Sequence, residues 1–185
     1  MIRCVWAEGN EQLRGYHDTE WGVPQRNDRI LFEYILLDSF QAGLNWAIML
    51  QKRENFRKAF DNFNPQKIAA YDKRKLNSLL KDSGIIRHRG KIEAAKENAR
   101  VFLALQDEFG SFAKYLWGWV DEKTIKNRQR REEDIPAQTD LSDRISKDLK
   151  SRGFRFFGAT ICYAFLQGAG VVNDHLVSCF RYREV

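Results

Sequence analysis

Apolar residues recur every three or four positions over most of the chain, the spacing of amphipathic helices. Residues 29–40 place Leu31, Phe32, Ile35, Leu36 and Ser39 on one stripe, with Asn27 or Asp28 as N-cap, and Gly43 breaks the run. A second helix is predicted over 44–60, carrying Trp46, Leu50, Phe56 and Phe60 among Lys52, Arg53 and Lys58. Short helical pieces follow at 66–71 and 73–81. The longest helix runs from about 87 to 109, with Ile92, Ala95, Ala99, Phe102 and Leu103 inward. Another spans 112–120. Residues 121–140, with Arg128, Arg130 and Arg131 beside Glu132, Glu133 and Asp134, lack periodicity and are predicted to be a solvated loop. Two more helices, 141–150 capped by Thr139 or Asp140 and 159–167, flank a turn at 151–158. No strand ladder or repeat is visible, so helices are expected to dominate.

Composition narrows this only slightly. The 185 residues are 43% hydrophobic and 13% aromatic, enough to bury a core, in one domain or two closely fused helical lobes. No apolar run can span a bilayer and residues 1–10 lack a signal-peptide pattern, so a cytoplasmic protein without membrane partners is expected. Lys and Arg number 31 against 25 Asp and Glu, a net charge of +6 that permits a polyanionic partner without requiring one.

Three cysteines suit metal ligation or burial better than a disulfide framework. His175 and Cys179 are four apart, so a helical turn would point both to one side. Cys4 and His17 could complete a Cys2His2 set of the kind zinc favours, clasping the chain ends. Ordinary buried thiols and histidines account for the spacing equally well. A zinc ion with four protein ligands would be structural, with no open position for catalysis. Trp6, Tyr16, Trp21 and Trp46 concentrate near Asp38 and could enclose a flat ring, an electron-poor cationic one gaining cation–π attraction as well. On composition alone, core packing explains these rings better. Asp38, if buried there, would need donors or a positive ligand, and a cationic base would satisfy it.

Four ordered blocks carry a resemblance. Tyr16-His17-Asp18-Thr19-Glu20-Trp21-Gly22-Val23-Pro24, Gln41-Ala42-Gly43-Leu44-Asn45-Trp46, Gly84-Ile85-Ile86-Arg87-His88-Arg89-Gly90-Lys91-Ile92 and Val172-Asn173-Asp174-His175 resemble the bacterial DNA-3-methyladenine glycosylase I family. The resemblance covers nearly the whole chain, residues 1–185, as one glycosylase domain. It implies an all-α, helix-hairpin-helix fold with a lobe built from both terminal segments, joined by structural Zn2+ on Cys4, His17, His175 and Cys179, and a central helical lobe. It further implies a monomeric enzyme, cytoplasmic and nucleoid-associated when bound to DNA, that acts on double-stranded DNA containing alkylated bases. There it would flip out and hydrolyse N-alkylated adenine without a lyase step. Trp46 would stack on the base, with Trp6, Tyr16 and Trp21 completing the pocket. Gln41, Gly43 and Leu44 would approach the gap in the duplex. A hairpin at about 147–168 would hold phosphate through Gly153, Arg155 and Gly158. Arg87, His88, Arg89 and Lys91 would touch phosphates or solvate a helix start.

One residue departs from the family's pattern at its centre. Asp38 stands where the family has the glutamate that reads the methylated adenine, shortening the reach by about 1.5 Å. Asn45 also replaces an expected serine. Retained excision with a readjusted pocket is the expectation. The alternatives are another preferred lesion, or a DNA-binding protein of the same fold with altered or lost excision. A zinc-stabilised helical interaction protein, without salt-dependent DNA affinity, is the reading from another class.

Overall fold

The computed structural model describes residues 1–41 and 43–185. Among the described residues are nine α-helices: α1 Glu11–Thr19, α2 Asp28–Gln41, α3 Trp46–Ala59, α4 Pro65–Ala69, α5 Lys73–Leu79, α6 Arg89–Phe109, α7 Phe112–Gly118, α8 Asp140–Ser151 and α9 Ala159–Gly168. The expected helices are all present, with ends set by their caps. Asn27 Oδ1 accepts from the N–H groups of Arg29 and Ile30 at 3.0 and 3.2 Å, opening α2. The alternative cap, Asp28, instead reaches the start of α7, accepting from the Phe112 and Ala113 N–H groups at 2.8 Å each. Asn45 caps α3, so that helix starts two residues later than periodicity alone suggests. Thr139 and Ser142 close a capping box on α8.

Helix α2 is the pillar of the fold. The single stripe expected of it is too narrow: all ten residues Leu31 to Phe40 are buried, Glu33 and Asp38 included. A helix buried on every side loses its polar face. The main core gathers around it from α3 to α9, with Phe32, Phe40, Phe56, Phe60, Phe102, Phe112 and Trp117 among its largest members. A second, smaller cluster joins the chain ends through Cys4, Tyr16, Trp21, Leu176 and Cys179, with Trp6, Trp46 and Ile135 packed against it.

Two expectations are corrected in the 121–140 connection. It is not purely a loop, and the fold is not purely helical: β1 Ile125–Lys126 pairs in parallel with β2 Val172–Asn173, and a 3-10 turn covers Glu132–Asp134. Two residues are too few to show alternation in sequence. Further bonds fasten the segment, Asn127 Nδ2 to Asp174 Oδ1 at 2.7 Å and Val177 N–H to the Gln129 carbonyl at 2.9 Å. The connection is thereby held against the C-terminal segment.

Candidate base pocket and metal clasp

Cys4 precedes the first 3-10 turn, His17 lies on α1, and His175 and Cys179 follow β2. The last two are on an irregular turn closed by Cys179 N–H to the Leu176 carbonyl at 2.8 Å, not on an α-helix, yet both side chains face one point. All four are buried, and their ligating atoms lie within 4.8 Å of one another, a group that could hold a metal ion. Cys179 Sγ is 3.4 Å from His17 Nε2 and 3.6 Å from His175 Nδ1, and Cys4 Sγ is 3.8 Å from His175 Nδ1. The outward nitrogens are also engaged. His17 Nδ1 meets Asp18 Oδ1 at 2.8 Å, with Asp18 gripped by Arg3, while His175 Nε2 lies 3.1 Å from the Trp21 carbonyl. Burial lowers both imidazole pKa values, His175 to about 4, which keeps the rings in the neutral, ligating form. Gly22 makes room for this: it sits at φ +80°, and a Cβ there would come within 2.9 Å of His175 Nε2.

Two indoles link the cluster to a cavity. Trp21 packs edge-on against His175 at 4.5 Å, Trp6 packs against His17 at 5.4 Å, and the two indoles meet at 5.0 Å. The same two rings wall a pocket of about 350 Å³, together with Tyr16, Trp46, Asp38 and Gln41. All four sequence-designated aromatics and the designated acid thus line one space. Asp38 is 6% exposed, and among the described residues no donor reaches its carboxylate; burial alone pushes its pKa well above the ordinary range. Trp46 Nε1 is likewise buried, with no partner among the described residues. Burial, and then the nearby Asp38, raises the Tyr16 pKa, so its hydroxyl retains a proton to donate. A cavity with an apolar wall, an unpaired acid and an unpaired donor suits a planar ligand with a positive charge.

Four lining residues escaped the sequence reading: Glu132 and Ile135 from the connection, and Ala164 and Gln167 from α9. The aperiodic connection gave no signal. The α9 pair lies on a helix whose apolar residues mask its pocket face.

Most of the remaining designated residues are exposed. Leu44 N–H bonds the Gln41 carbonyl at 2.6 Å; Ala42 lies outside the described residues. Gly43 has φ +85° and Leu44 is 37% exposed. The α8–α9 hairpin holds Gly153 at φ +107°, an exposed Arg155, and Gly158 as an N-cap without a side chain. Asn98 on α6 clamps it, accepting from Arg155 N–H at 2.8 Å and donating to its carbonyl at 3.0 Å. His88 caps α6 and touches Phe156 edge-on, 5.7 Å between centroids. Arg87 and Arg89 are exposed, as expected. Lys91 is not: its Nζ turns inward to donate to the Phe40 carbonyl at 2.9 Å, which ties α6 to the end of α2. Its spacing with Ala95, Asn98, Phe102 and Leu105 on the inner face of α6 carried that signal.

The family model for methyladenine glycosylase matches residues 6–182. The DNA-3-methyladenine glycosylase 1 of Escherichia coli (strain K12) is 44% identical over 182 residues, 98% of this chain and 97% of that protein. The crystal structure of a 3-methyladenine DNA glycosylase I superposes with a TM-score of 0.93 at 46% identity, over 97% of this chain and 98% of that one. A variant of a 3-methyladenine DNA glycosylase I, in complex with 3-methyladenine, superposes with a TM-score of 0.94 at 33% identity, over 97% of each chain.

Proposed function

The chain belongs to the methyladenine glycosylase family, and on that premise we propose that its pocket receives an N-alkylated adenine flipped from double-stranded DNA and that the protein hydrolyses the glycosidic bond. It is a monofunctional DNA-3-methyladenine glycosylase of base-excision repair. The observation that carries this reading is Asp38, buried in the indole-lined pocket with no donor to its carboxylate among the described residues. An adenine methylated at N3 and still joined to deoxyribose is a cation, and it offers that carboxylate a charge partner while Trp46 takes its face.

The reaction follows from the charge. The C1′–N9 bond breaks with its electron pair moving to the base, which leaves neutral. Water's oxygen bonds to C1′ and its proton passes to solvent. Much of the activation resides in the lesion, so orientation and the exclusion of uncharged bases are the protein's task. No lysine nucleophile is required, and no lyase step follows.

Several surfaces support duplex binding. Gln41, Gly43 and Leu44 form a short turn at the pocket's edge, placed to fill the space a flipped base leaves. The unstacking it offsets is worth a few kcal/mol. The hairpin of Gly153, Arg155 and Gly158 presents the uncapped N-terminus of α9 to a phosphate in helix-hairpin-helix fashion. The Cys4, His17, His175 and Cys179 set fits structural Zn2+ in its donor chemistry: the sulfur–nitrogen separations of 3.4, 3.6 and 3.8 Å lie close to the edge of about 3.5 Å expected for tetrahedral Zn–S near 2.3 and Zn–N near 2.0 Å, and ion binding would draw in the widest of the pairs, which reach 4.8 Å. When bound, the ion would hold thiolates and imidazoles together and supply no reactive water. One domain over 1–185, its terminal lobe clasped by zinc beside a central helical lobe, acts as a monomer in the cytoplasm, on the nucleoid when DNA is bound. Among the described residues no helix is long and apolar enough to cross a membrane.

Incubation with methylated duplex DNA, followed by identification of the released bases, tests the reading. Free 3-methyladenine as the main product is expected. DNA binding with no base released would show a protein of this fold that has lost excision.

A further inference from the structure

The connection between α7 and α8 brings a second acid to the base pocket. Glu132 lies on its 3-10 turn, and one carboxylate oxygen accepts the Trp6 backbone N–H at 2.8 Å. That bond ties the turn to one of the indole walls, while the side chain lines the cavity alongside Asp38. The adjacent guanidinium is already taken: Arg131 pairs with Glu133 at 2.8 Å and Asp134 at 2.7 Å. Among the described residues no cation pairs with Glu132 itself.

The two acids of the pocket are therefore set up differently. Asp38, enclosed and met by no donor among the described residues, is driven by burial towards its neutral form. Glu132 is half-exposed and amide-bonded, and brings a formal negative charge to the rim. A cationic base entering the pocket meets that charge before it is desolvated, and a neutral base gains nothing from it.

We propose that Glu132 is a specificity-determining residue of the base pocket, whose carboxylate, held by the Trp6 amide, favours positively charged purines over neutral ones. The proposal rests on the pocket's being the site of a cationic base. It gives the 121–140 connection a part in recognition, with Ile135 adding an apolar contact beside it.

The test uses small probes, so that it needs no catalysis. Quenching of tryptophan fluorescence would measure binding of 3,9-dimethyladeninium, a fixed cation with N9 blocked, and of neutral 9-methyladenine. Glu132→Gln keeps an oxygen to accept from Trp6 and removes only the charge; Glu132→Ala removes both. The wild type is expected to prefer the cation. Both variants should lose about tenfold in cation affinity, and Glu132→Gln should hold 9-methyladenine within twofold of wild type. If Glu132→Gln matches wild type on both probes and only Glu132→Ala is impaired, the residue is a tether and the proposal is overturned. Release of 3-methyladenine from methylated DNA, assayed in parallel, tests the parent reading separately. A wild type that binds neither probe removes both, while one that releases the base with Glu132→Gln unaltered removes the Glu132 proposal alone.

Discussion

Trp6 and Trp21 stand between two polar interiors of opposite character. On one side lies the clasp region, where Asp174 accepts from Asn127 Nδ2 and Gln167 Nε2 at 2.7 Å each and from the Tyr163 hydroxyl. There the outward nitrogens of His17 and His175 also have partners. On the other side lies Asp38, buried nearly as deeply as Asp174 and met by no donor among the described residues. Glu33, five residues before it on α2, is matched by Arg53 at 2.6 Å and Arg57 at 2.8 Å. The chain thus supplies partners to its other buried acids and withholds them from one. A buried carboxylate with partners has its desolvation offset, so that losing a partner is costly; one without them stores an affinity for whatever cation arrives.

The comparison breaks most visibly if the clasp is opened. Cys179→Ser, or chelation of the zinc proposed for this set, is expected to cost about 4 kcal/mol or more in stability, read from denaturant unfolding, and to abolish excision because the indole wall loses its backing. An effect confined to stability would separate the two regions. Next comes Asp38. Asp38→Asn should slow single-turnover release of 3-methyladenine by about thirtyfold or more, the range of a buried charge pair losing one member, whereas Asp38→Glu keeps or raises it.

The same variant sharpens the contrast through pH. The folded protein holds a proton on Asp38 where the unfolded chain has lost it. Relative to Asp38→Asn, wild-type stability should therefore fall as pH rises above the ordinary carboxylate value of about 3.9 and level off above the raised folded value. A difference between the two proteins that is flat with pH would show that Asp38 has found a partner. Gly22→Ala, which forces a Cβ against His175 Nε2 at a left-handed φ, should cost about 1–3 kcal/mol. The smallest effect belongs to Tyr163→Phe: removing one of three donors to Asp174 should lower stability by about 1 kcal/mol and leave the release rate within twofold.

How much of this was legible in sequence divides along the same wall. The clasp could be read because cysteines and histidines are few, and the helices because periodicity and caps repeat. Asp38 and its aromatic neighbours could be placed near one another, but its lack of donors is a fact about what surrounds α2 on every side. Glu132 was invisible for a different reason: its segment has no periodicity, and its position comes from a two-residue strand pairing and a handful of long-range bonds. Lys91 sat within a basic run that suggested solvent, and only its spacing with Asn98 and Phe102 marked it as inward.

The clasp joins residues 171 positions apart, Cys4 and His175, and the pocket's indoles lean on it. Closing so long a segment is entropically costly, and it waits until the intervening helices have packed. Until that closure the helices between the two ends can already pack, and the chain then has its main core while the indoles Trp6 and Trp21 lack their backing. Base excision is therefore expected to lag behind formation of the main core during refolding.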